Sequence, residues 1–270
     1  MLVFPFFCYI IIFRIKGGGY MLLEKRRQLI LDELKSNGII YVSKLSKQFS
    51  VSYETIRKDL SYLEKKGLLI KSHGGAILKQ NAIELSYNTR EKENASDKKR
   101  IAQKALELIP DNSSVIIGTG STTVELAYLL AQKSGYKIFT DSLPVTNALV
   151  NSDNQLFFFG GEFRPKSSSV FGGWTISQIK QVFVDMCFLG SDGFLNIDGP
   201  SSPSSSDVFI DQEILKQSDK AYILADSSKF ERKSLYKICN WSNITALITN
   251  SDANQSKRLD IEKQTKVIMT

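Results

Sequence analysis

Apolar residues recur at helical spacing in the first third of the chain. Ile56, Leu60 and Leu63 follow an i, i+4, i+7 pattern, which predicts a helix with one apolar face. The same kind of pattern predicts an earlier helix over about Leu22–Lys35 and a shorter one over Val42–Phe49. Three short helices in this order, with a tight connection before the third, are typical of a helix-turn-helix.

The third helix is predicted to read DNA. Ser52 stands where an N-cap belongs, so the first turn can present free amides to a phosphate or a groove. Lys58 lies on the face opposite the apolar stripe, with Arg57 beside it. The predicted DNA contacts of this helix are Ser52, Tyr53, Thr55, Arg57 and Lys58.

Two short apolar segments follow this helix. Leu68–Lys71 and Ala76–Leu78 are predicted strands around a Ser-His-Gly-Gly tip, which indicates a β-hairpin wing. Lys71 and His73 are its candidate DNA contacts. A charged, solvated helix on an unrelated small helical domain is the alternative for the whole segment.

From about Ser96 onward, helical patterns alternate with strands that are apolar throughout. A helix with Ile101 and Ala105 on one face is predicted to stop at Pro110. The strands and helices expected after it are Ser114–Gly118, Thr122–Gln132, Tyr136–Thr140, Pro144–Val150, Leu156–Phe159, Met186–Leu189, Ala221–Ala225 and Ile244–Thr249. Such alternation predicts an α/β fold with a mainly parallel sheet covered on both faces. Ligands of such folds bind at the carboxyl ends of strands.

A glycine and hydroxyl cluster follows the first of these strands, at Gly118, Thr119, Gly120, Ser121 and Thr122. Glycines allow a ligand close to the backbone, and amides with hydroxyls at a helix N-terminus can hold a phosphate. The cluster lacks the Lys of a Walker loop and the third glycine of a dinucleotide fingerprint. A tight strand-to-helix turn without a ligand is the alternative.

The N-terminal segment resembles the DNA-binding domain of the DeoR family of bacterial repressors. The residues that carry the likeness run from Ser52 through Thr55–Leu60 to Leu63 and Gly67, and then His73–Ala76. The resemblance implies a winged helix-turn-helix whose third helix enters the major groove of operator DNA. Asp59 is expected to be structural, because DNA would repel a carboxylate facing it.

Residues 96–270 are similar to the effector domain of the same family, which is related to ribose-5-phosphate isomerase and CoA transferases. The likeness rests on the glycine loop, on Thr140–Leu143, on Gly160-Gly161 with Arg164, on Asp192-Gly193 and on Ala225–Phe230. It implies that a phosphorylated sugar binds here. The loop would hold the phosphate, and Asp141, Arg164, Asp192 and Lys229 are the further candidate effector contacts.

Several of these assignments have alternatives. Lys229 could instead cap a helix or pair with Asp226 on the surface. Asp141 stands where the family often has Asn. The Ser/Pro-rich segment Gly199–Asp207 departs most from the family and is either a mobile lid or a solvent loop.

Charge and length support two domains with different tasks. The chain has 270 residues and a net charge of +7. Met21–Leu78 carries 11 basic and 6 acidic residues, whereas residues 79–270 carry 22 of each sign. The excess positive charge therefore lies with the predicted DNA-binding domain. We expect that domain at residues 21–78, a linker at 79–95 and the effector domain at 96–270.

The first twenty residues are expected to be a mis-annotated leader. Leu2–Phe13 is apolar but too short to span a bilayer, and it lacks the flanks of an export signal. Lys16–Gly19 precedes Met21 and could encode a ribosome-binding sequence, so translation is expected to start at Met21. A membrane-tethered regulator is the alternative.

No metal or cofactor is expected. Cys8, Cys187 and Cys239 have neither CxxC spacing nor companion histidines, which disfavours a zinc site and a disulfide framework. Free thiols of this kind are typical of a reducing cytoplasm, which is the expected location.

The sequence therefore predicts a repressor, and not an enzyme, whose affinity for double-stranded operator DNA responds to a phosphorylated sugar. A homodimer or homotetramer is expected, since two-fold oligomers read paired half-sites. The alternative is a sugar-phosphate isomerase carrying a nucleic-acid module, with Asp192 and Lys229 as acid–base groups. The second acidic cluster that an isomerase would require is not evident in the sequence.

Overall fold

The computed structural model describes residues 23–37, 39–66, 68–72, 74–78 and 85–270. The expected leader at residues 1–20 lies outside the described residues. The chain divides into two compact units, the second of which is Glu84–Thr270. Each unit has its own hydrophobic core.

The first unit contains three helices and three short strands among its described residues. They are α1 (Leu23–Asn37), β1 (Ile39–Tyr41), α2 (Val42–Phe49), α3 (Tyr53–Lys65), β2 (Leu69–Ser72) and β3 (Gly75–Leu78). The three predicted helices and the hairpin are confirmed. Strand β1 was not predicted; it pairs antiparallel with β3, so β3 lies between β1 and β2.

Apolar positions at helical spacing build the core of this unit. Leu34, Leu45, Ile56 and Leu60 from the three helices are almost completely buried, and Leu69 of β2 packs in the same cluster. Burying a side chain of this size stabilises a fold by about 1.5 to 3 kcal/mol. Packing on this core therefore fixes which face of α3 points outward.

The second unit is larger and alternates helices with strands. Its elements are α4 (Tyr87–Lys92), α5 (Ala95–Leu106), β4 (Ser114–Ile117), α6 (Ser121–Leu130), β5 (Lys137–Thr140), α7 (Leu143–Leu149), β6 (Gln155–Phe158), β7 (Glu162–Arg164), β8 (Ser169–Phe171), α8 (Gly173–Ile179), β9 (Val184–Leu189), β10 (Ser201–Ser202), α9 (Ser205–Lys216), β11 (Ser218–Leu224), β12 (Tyr236–Lys237), β13 (Ala246–Thr249), α10 (Gln255–Glu262) and β14 (Lys266–Met269). Two short 3-10 helices, Ser227–Glu231 and Trp241–Asn243, complete it.

Seven parallel strands form the central sheet in the described part of this unit, in the order β14-β13-β11-β9-β4-β5-β6. Successive residues of β4 face opposite sides. Val115 and Ile117 join one buried cluster, while Ile116 joins the other. The sheet is therefore covered on both faces, and the predicted α/β class is confirmed.

Strand order identifies the crevice where a ligand would bind. From β4 the chain winds outward through β5 to β6, and from β9 it winds the opposite way through β11 and β13 to β14. Because connections diverge there, the carboxyl ends of β4 and β9 border an open crevice. The glycine loop follows β4, as predicted.

Residues 85–95 differ from the linker expected there. Helix α4 lies in this segment, and Tyr87 is buried in the core of the second unit. The Tyr87 amide also donates to the Lys166 carbonyl at 2.9 Å. The segment is mostly polar in sequence and gave little indication of a packed helix, because a single aromatic residue, Tyr87, anchors it to the core.

Buried residues fill much of the Ser/Pro-rich segment, so the predicted solvent loop is wrong, and the mobile lid stays a prediction. Ser201 and Ser202 form β10, which pairs with β12, and both serines are buried. Ser204 caps α9 by accepting from the Asp207 amide. Small hydroxyl side chains fit here because they satisfy buried backbone groups.

Three further findings concern the described residues as a whole. No helix among them is long and apolar enough to cross a membrane. No group of three or more His, Cys, Asp or Glu residues among them is arranged to hold a metal ion. Cys187 is buried as expected, and burial raises the pKa of its thiol to about 12.

Candidate DNA-reading surface and effector cleft

The N-terminus of α3 has the predicted cap. The Ser52 hydroxyl accepts a hydrogen bond from the Thr55 amide at 3.1 Å and lies 2.9 Å from the Thr55 hydroxyl. Its backbone is extended, as an N-cap requires. Ser52 and Thr55 therefore fix the start of the helix, and Tyr53 between them is half exposed.

Arg57 and Lys58 lie on the exposed face of α3, whereas Asp59 is buried. The Asp59 carboxylate accepts from Arg26 Nε at 2.7 Å and from Arg27 Nε at 2.8 Å. Asp59 is thus structural, as expected, and it leaves the two neighbouring cations available to a polyanion.

The wing is attached to the far end of α3. Lys71 Nζ donates to the Ser61 hydroxyl at 2.9 Å, and the Lys71 amide donates to Glu64 Oε1 at 2.9 Å. These bonds hold β2 against the helix. His73, the other predicted wing contact, lies outside the described residues.

The glycine loop after β4 comes very close to the loop after β9. A Cβ at Gly118 would lie 2.6 Å from Leu189 Cδ2, and one at Gly120 would lie 3.6 Å from Gly190 Cα. A side chain at Gly118 would have to displace the Leu189 side chain, whereas one at Gly120 would meet Gly190 at an ordinary contact distance. The two strand ends therefore lie close together.

The first turn of α6 offers free backbone amides. Gly120 caps the helix without a side-chain hydrogen bond, while the Thr123 hydroxyl turns back to the carbonyls of Gly118 and Gly120 at 2.8 and 2.9 Å. Ser121 and Thr122 are nearly buried in this turn. Unpaired amides at the positive end of a helix attract an anion.

A narrow polar cleft, with a cavity volume of about 20 Å³, lies between these strand ends. The residues that line it come from both loops, from α4 and from the Ser-rich segment before α9. They are Arg90, Thr119, Gly190, Ser191, Asp192, Ser201, Ser202, Asp207, Asp211 and Ile238. Of the predicted effector contacts, Thr119 and Asp192 are therefore in the wall.

Other predicted contacts lie behind the wall. Arg164 donates to Asp207 Oδ2 at 3.3 Å and to the Ser167 hydroxyl at 3.1 Å. The Ser167 carbonyl in turn accepts from the Thr119 hydroxyl at 3.2 Å. Arg164 thus joins the glycine loop to the start of α9 without lining the cleft.

Asp141 follows β5 and is buried, with Oδ1 lacking a hydrogen-bond partner among the described residues. Burial raises the pKa of its carboxyl to about 7, and the charge of Asp207 adds to the rise. Burial also raises the pKa of Asp211 well above its usual value, with Asp141 and Asp207 contributing. Two of the acidic groups around the cleft are therefore easily neutralised.

Lys229 lies in the 3-10 helix after β11 and is buried, so the predicted surface pair with Asp226 is wrong. Burial lowers the pKa of Lys229, while Asp226 and Asp192 act in the opposite direction. A buried cation close to Asp192 can bind an anionic ligand.

Sequence reasoning missed Arg90, Asp207 and Asp211. Arg90 lies in the expected linker, and the two aspartates belong to α9, which carried no recognisable motif. Their placement depends on contacts between elements distant in sequence. In the sequence, the alternation of strands and helices was the one indication that the loops after the strands meet at one edge of the sheet.

A DNA-reading helix with a wing, followed by an α/β unit with a polar cleft, defines a ligand-responsive transcription regulator. Comparison with known families agrees: the family described as DeoR-like helix-turn-helix domain matches residues 26–82. The DeoR C terminal sensor domain matches residues 93–251. The chain belongs to the DeoR family of DNA-binding transcriptional regulators.

Individual relatives align with most of the chain, and a solved structure aligns with about half of it. It is 31% identical to the putative aga operon transcriptional repressor of Escherichia coli O157:H7, over 84% of this chain and 86% of that protein. It is also 31% identical to the glycerol-3-phosphate regulon repressor of Escherichia coli K12, over 84% of this chain and 90% of that protein. Ribose 5-phosphate isomerase A of Methanocaldococcus jannaschii aligns over 51% of this chain and 55% of its own, with 16% identity and a TM-score of 0.39.

Proposed function

We propose that this chain represses sugar-metabolism genes and that a phosphorylated sugar in the cleft controls its affinity for operator DNA. The observation that carries the proposal is that Thr119, which directly precedes the N-cap Gly120 of α6, lines the same polar cleft as Asp192. The two relatives named above are called repressors, one of an aga operon and the other of a glycerol-3-phosphate regulon, which supports repression as the direction of control.

The cleft has a chemistry suited to each part of such a ligand. Free amides of residues 121–123 and the hydroxyl of Thr119 would bind phosphate oxygens. Carboxylates such as Asp192 and Asp207 would accept hydrogen bonds from sugar hydroxyls. The buried ammonium of Lys229 would add a positive charge.

On this proposal the second unit senses and does not catalyse. Isomerisation requires a general base positioned beside a carbon-bound proton. Asp192, the base that the alternative would use, accepts from Arg90 Nη1 at 3.3 Å. A carboxylate oxygen that holds a guanidinium is not free to take a proton from a substrate, which disfavours the isomerase alternative.

Control of DNA binding requires that the ligand favour one of two arrangements of the protein. A tenfold change in operator affinity corresponds to about 1.4 kcal/mol of difference in ligand binding between them. We assign DNA binding to residues 21–78 and effector binding to residues 96–270 together with α4. The contacts proposed for DNA are Ser52, Tyr53, Thr55, Arg57, Lys58, Lys71 and His73.

A dimer or tetramer is part of the proposal. One recognition helix of 13 residues makes few base contacts, and paired half-sites multiply them. Sedimentation velocity of the full chain at micromolar concentration would give a dimer or tetramer mass. A monomer that binds its operator tightly would contradict this part.

The function is tested by fluorescence anisotropy of the full chain on labelled DNA from upstream of its own gene. A panel of sugar phosphates and the matching free sugars is titrated at fixed salt. We expect sequence-dependent binding that one sugar phosphate weakens and its free sugar leaves unchanged. Conversion of a sugar phosphate, followed by NMR, with no specific DNA binding would overturn the proposal in favour of the isomerase.

A further inference from the structure

Arg90 extends from α4 into the wall of the effector cleft. Its side chain is 11% exposed, and its Nη1 donates to Asp192 Oδ1 at 3.3 Å. Charge-assisted bonds between Arg and a carboxylate are usually about 2.7 to 2.9 Å long. The pairing with Asp192 is thus loose for two groups so little exposed.

Most of the guanidinium's donor capacity is unused. Arginine has five N–H donors, and the bond to Asp192 is the one side-chain hydrogen bond of Arg90 within the described residues. Its Nε is buried and has no partner among them. Leaving a buried donor without a partner is unfavourable, so a ligand that satisfied it would bind more tightly.

The backbone that carries Arg90 is held firmly within the second unit. Lys98 is buried and donates from Nζ to the carbonyls of Arg90 and Glu93. Arg232 pairs with Glu93 at 3.1 Å, and Asn94 donates to Asp226 Oδ1 at 2.9 Å. The guanidinium is therefore anchored at the cleft by its main chain.

The surroundings of Arg90 favour an anion. Burial lowers the pKa of the neighbouring Lys229, and the positive charges of Arg232 and Arg90 add to the decrease. Asp192 is the carboxylate bonded to Arg90. An incoming dianion could replace Asp192 on the guanidinium and relieve the repulsion between the two cations.

We propose that Arg90 binds the anionic group of the effector directly and exchanges Asp192 for it. This inference rests on the proposed function and adds a contact from a part of the chain that neither family match covers, since those matches are residues 26–82 and 93–251. Asp192, once released, is free to accept from a hydroxyl of the same ligand.

The exchange makes α4 part of the binding site. Only residues 79–86 separate β3 from α4 along the sequence.

Isothermal titration calorimetry of the full chain tests the contact. The probes are glucose 6-phosphate, fructose 1-phosphate, galactose 6-phosphate, glycerol 3-phosphate and inorganic phosphate, and the variants are Arg90→Gln, Arg90→Lys and Lys92→Gln. Lys92 is an exposed cation of the same helix and serves as the matched control. Thermal unfolding of each variant, followed by tryptophan fluorescence, checks that the second unit is folded.

We expect Arg90→Gln to weaken the probe that the wild type binds by about 10- to 100-fold, the effect of losing a charged hydrogen bond. Arg90→Lys should recover part of the loss, and Lys92→Gln should change affinity less than about twofold. Equal affinities for wild type and Arg90→Gln would overturn this inference and leave the proposed function intact. Failure of every phosphorylated probe to bind the wild type would overturn both.

Discussion

Asp59 joins the recognition helix to the first helix through a 2.7 Å hydrogen bond from Arg26 Nε. Both side chains are almost completely buried, and Arg27 supplies a second bond to the same carboxylate. A buried carboxylate shared by two guanidinium groups is fully satisfied only while α1 and α3 remain together.

Asp59→Asn is expected to destabilise the first unit by about 3 kcal/mol, because Arg26 would keep a buried charge without a counterion. Hydrogen exchange of α3, followed by mass spectrometry, should show this as faster exchange. Both tryptophans, Trp174 and Trp241, belong to the second unit, so their fluorescence should be unchanged. Glu54→Gln, an exposed change in α3, is the control and should cost less than about 1 kcal/mol.

Arg57→Ala together with Lys58→Ala should abolish operator binding and leave sugar-phosphate binding intact. Each lost phosphate contact should also lower the slope of log affinity against log salt by about 1. The matched control is Lys65→Ala, an exposed cation at the far end of the same helix. Loss of both activities in the double variant would mean that these residues support the fold.

Asp141→Asn should make the second unit less sensitive to pH. The folded carboxyl has a pKa of about 7 against an ordinary value of 3.8, so the folded state holds the extra proton between these values. Stability from this group is complete below about pH 3.8 and is lost as the pH rises toward 7. The Asp141→Asn variant has no ionisable group at this position, so it does not lose stability over this pH range.

Urea unfolding followed by tryptophan fluorescence measures this difference. At pH 8 the variant should be more stable than the wild type by about 1 to 3 kcal/mol, the cost of a buried group lacking a partner. The difference in free energy of unfolding between variant and wild type should decrease steadily as the pH is lowered to 4. A gap independent of pH would contradict the assignment of a raised pKa to Asp141.

Lys229→Met should separate stability from ligand binding. Burial lowers the pKa of Lys229, which means that its surroundings disfavour the charged form. Replacing it with an apolar side chain of similar length removes this cost but takes a neighbouring cation from the buried Asp226, so the melting temperature should change little. Affinity for the sugar phosphate should fall by about tenfold or more, the effect of a lost charged contact.

Lys257→Met, which removes a partly exposed lysine paired with Glu231, is the comparison. Unchanged effector affinity in Lys229→Met would exclude a ligand role.

Hydrophobic periodicity predicted the helices of the first unit closely, including the whole of α2 at Val42–Phe49. It predicted the sheet strands less well at their first residues. Strand β11 begins at Ser218, three residues before the apolar run at Ala221, because residues 218–220 are paired but not fully buried. Backbone pairing at an exposed position leaves no apolar signal.

The glycine loop and Asp192 could be found from the sequence because they directly follow apolar strands. The cleft's other residues could not, since nothing local marks them. Arg90 is placed by Lys98 and by the buried ring of Tyr87, and Arg164 reaches Asp207 across 43 positions of sequence. Strands β7 and β8, of three residues each, are too short to produce a recognisable alternation.

Ser191, Ser201 and Ser202 give one side of the cleft a wall of minimal side chains. The hydroxyls of Ser191 and Ser201 both donate to the carbonyl of Gly193, so they hold the loop after β9 as well as bordering the ligand space. Exchanging a serine there for a larger residue would shorten the space without altering the amides of α6. After gene duplication, single substitutions at these serines could thus change which carbohydrate binds, while the site for the anionic group stays the same.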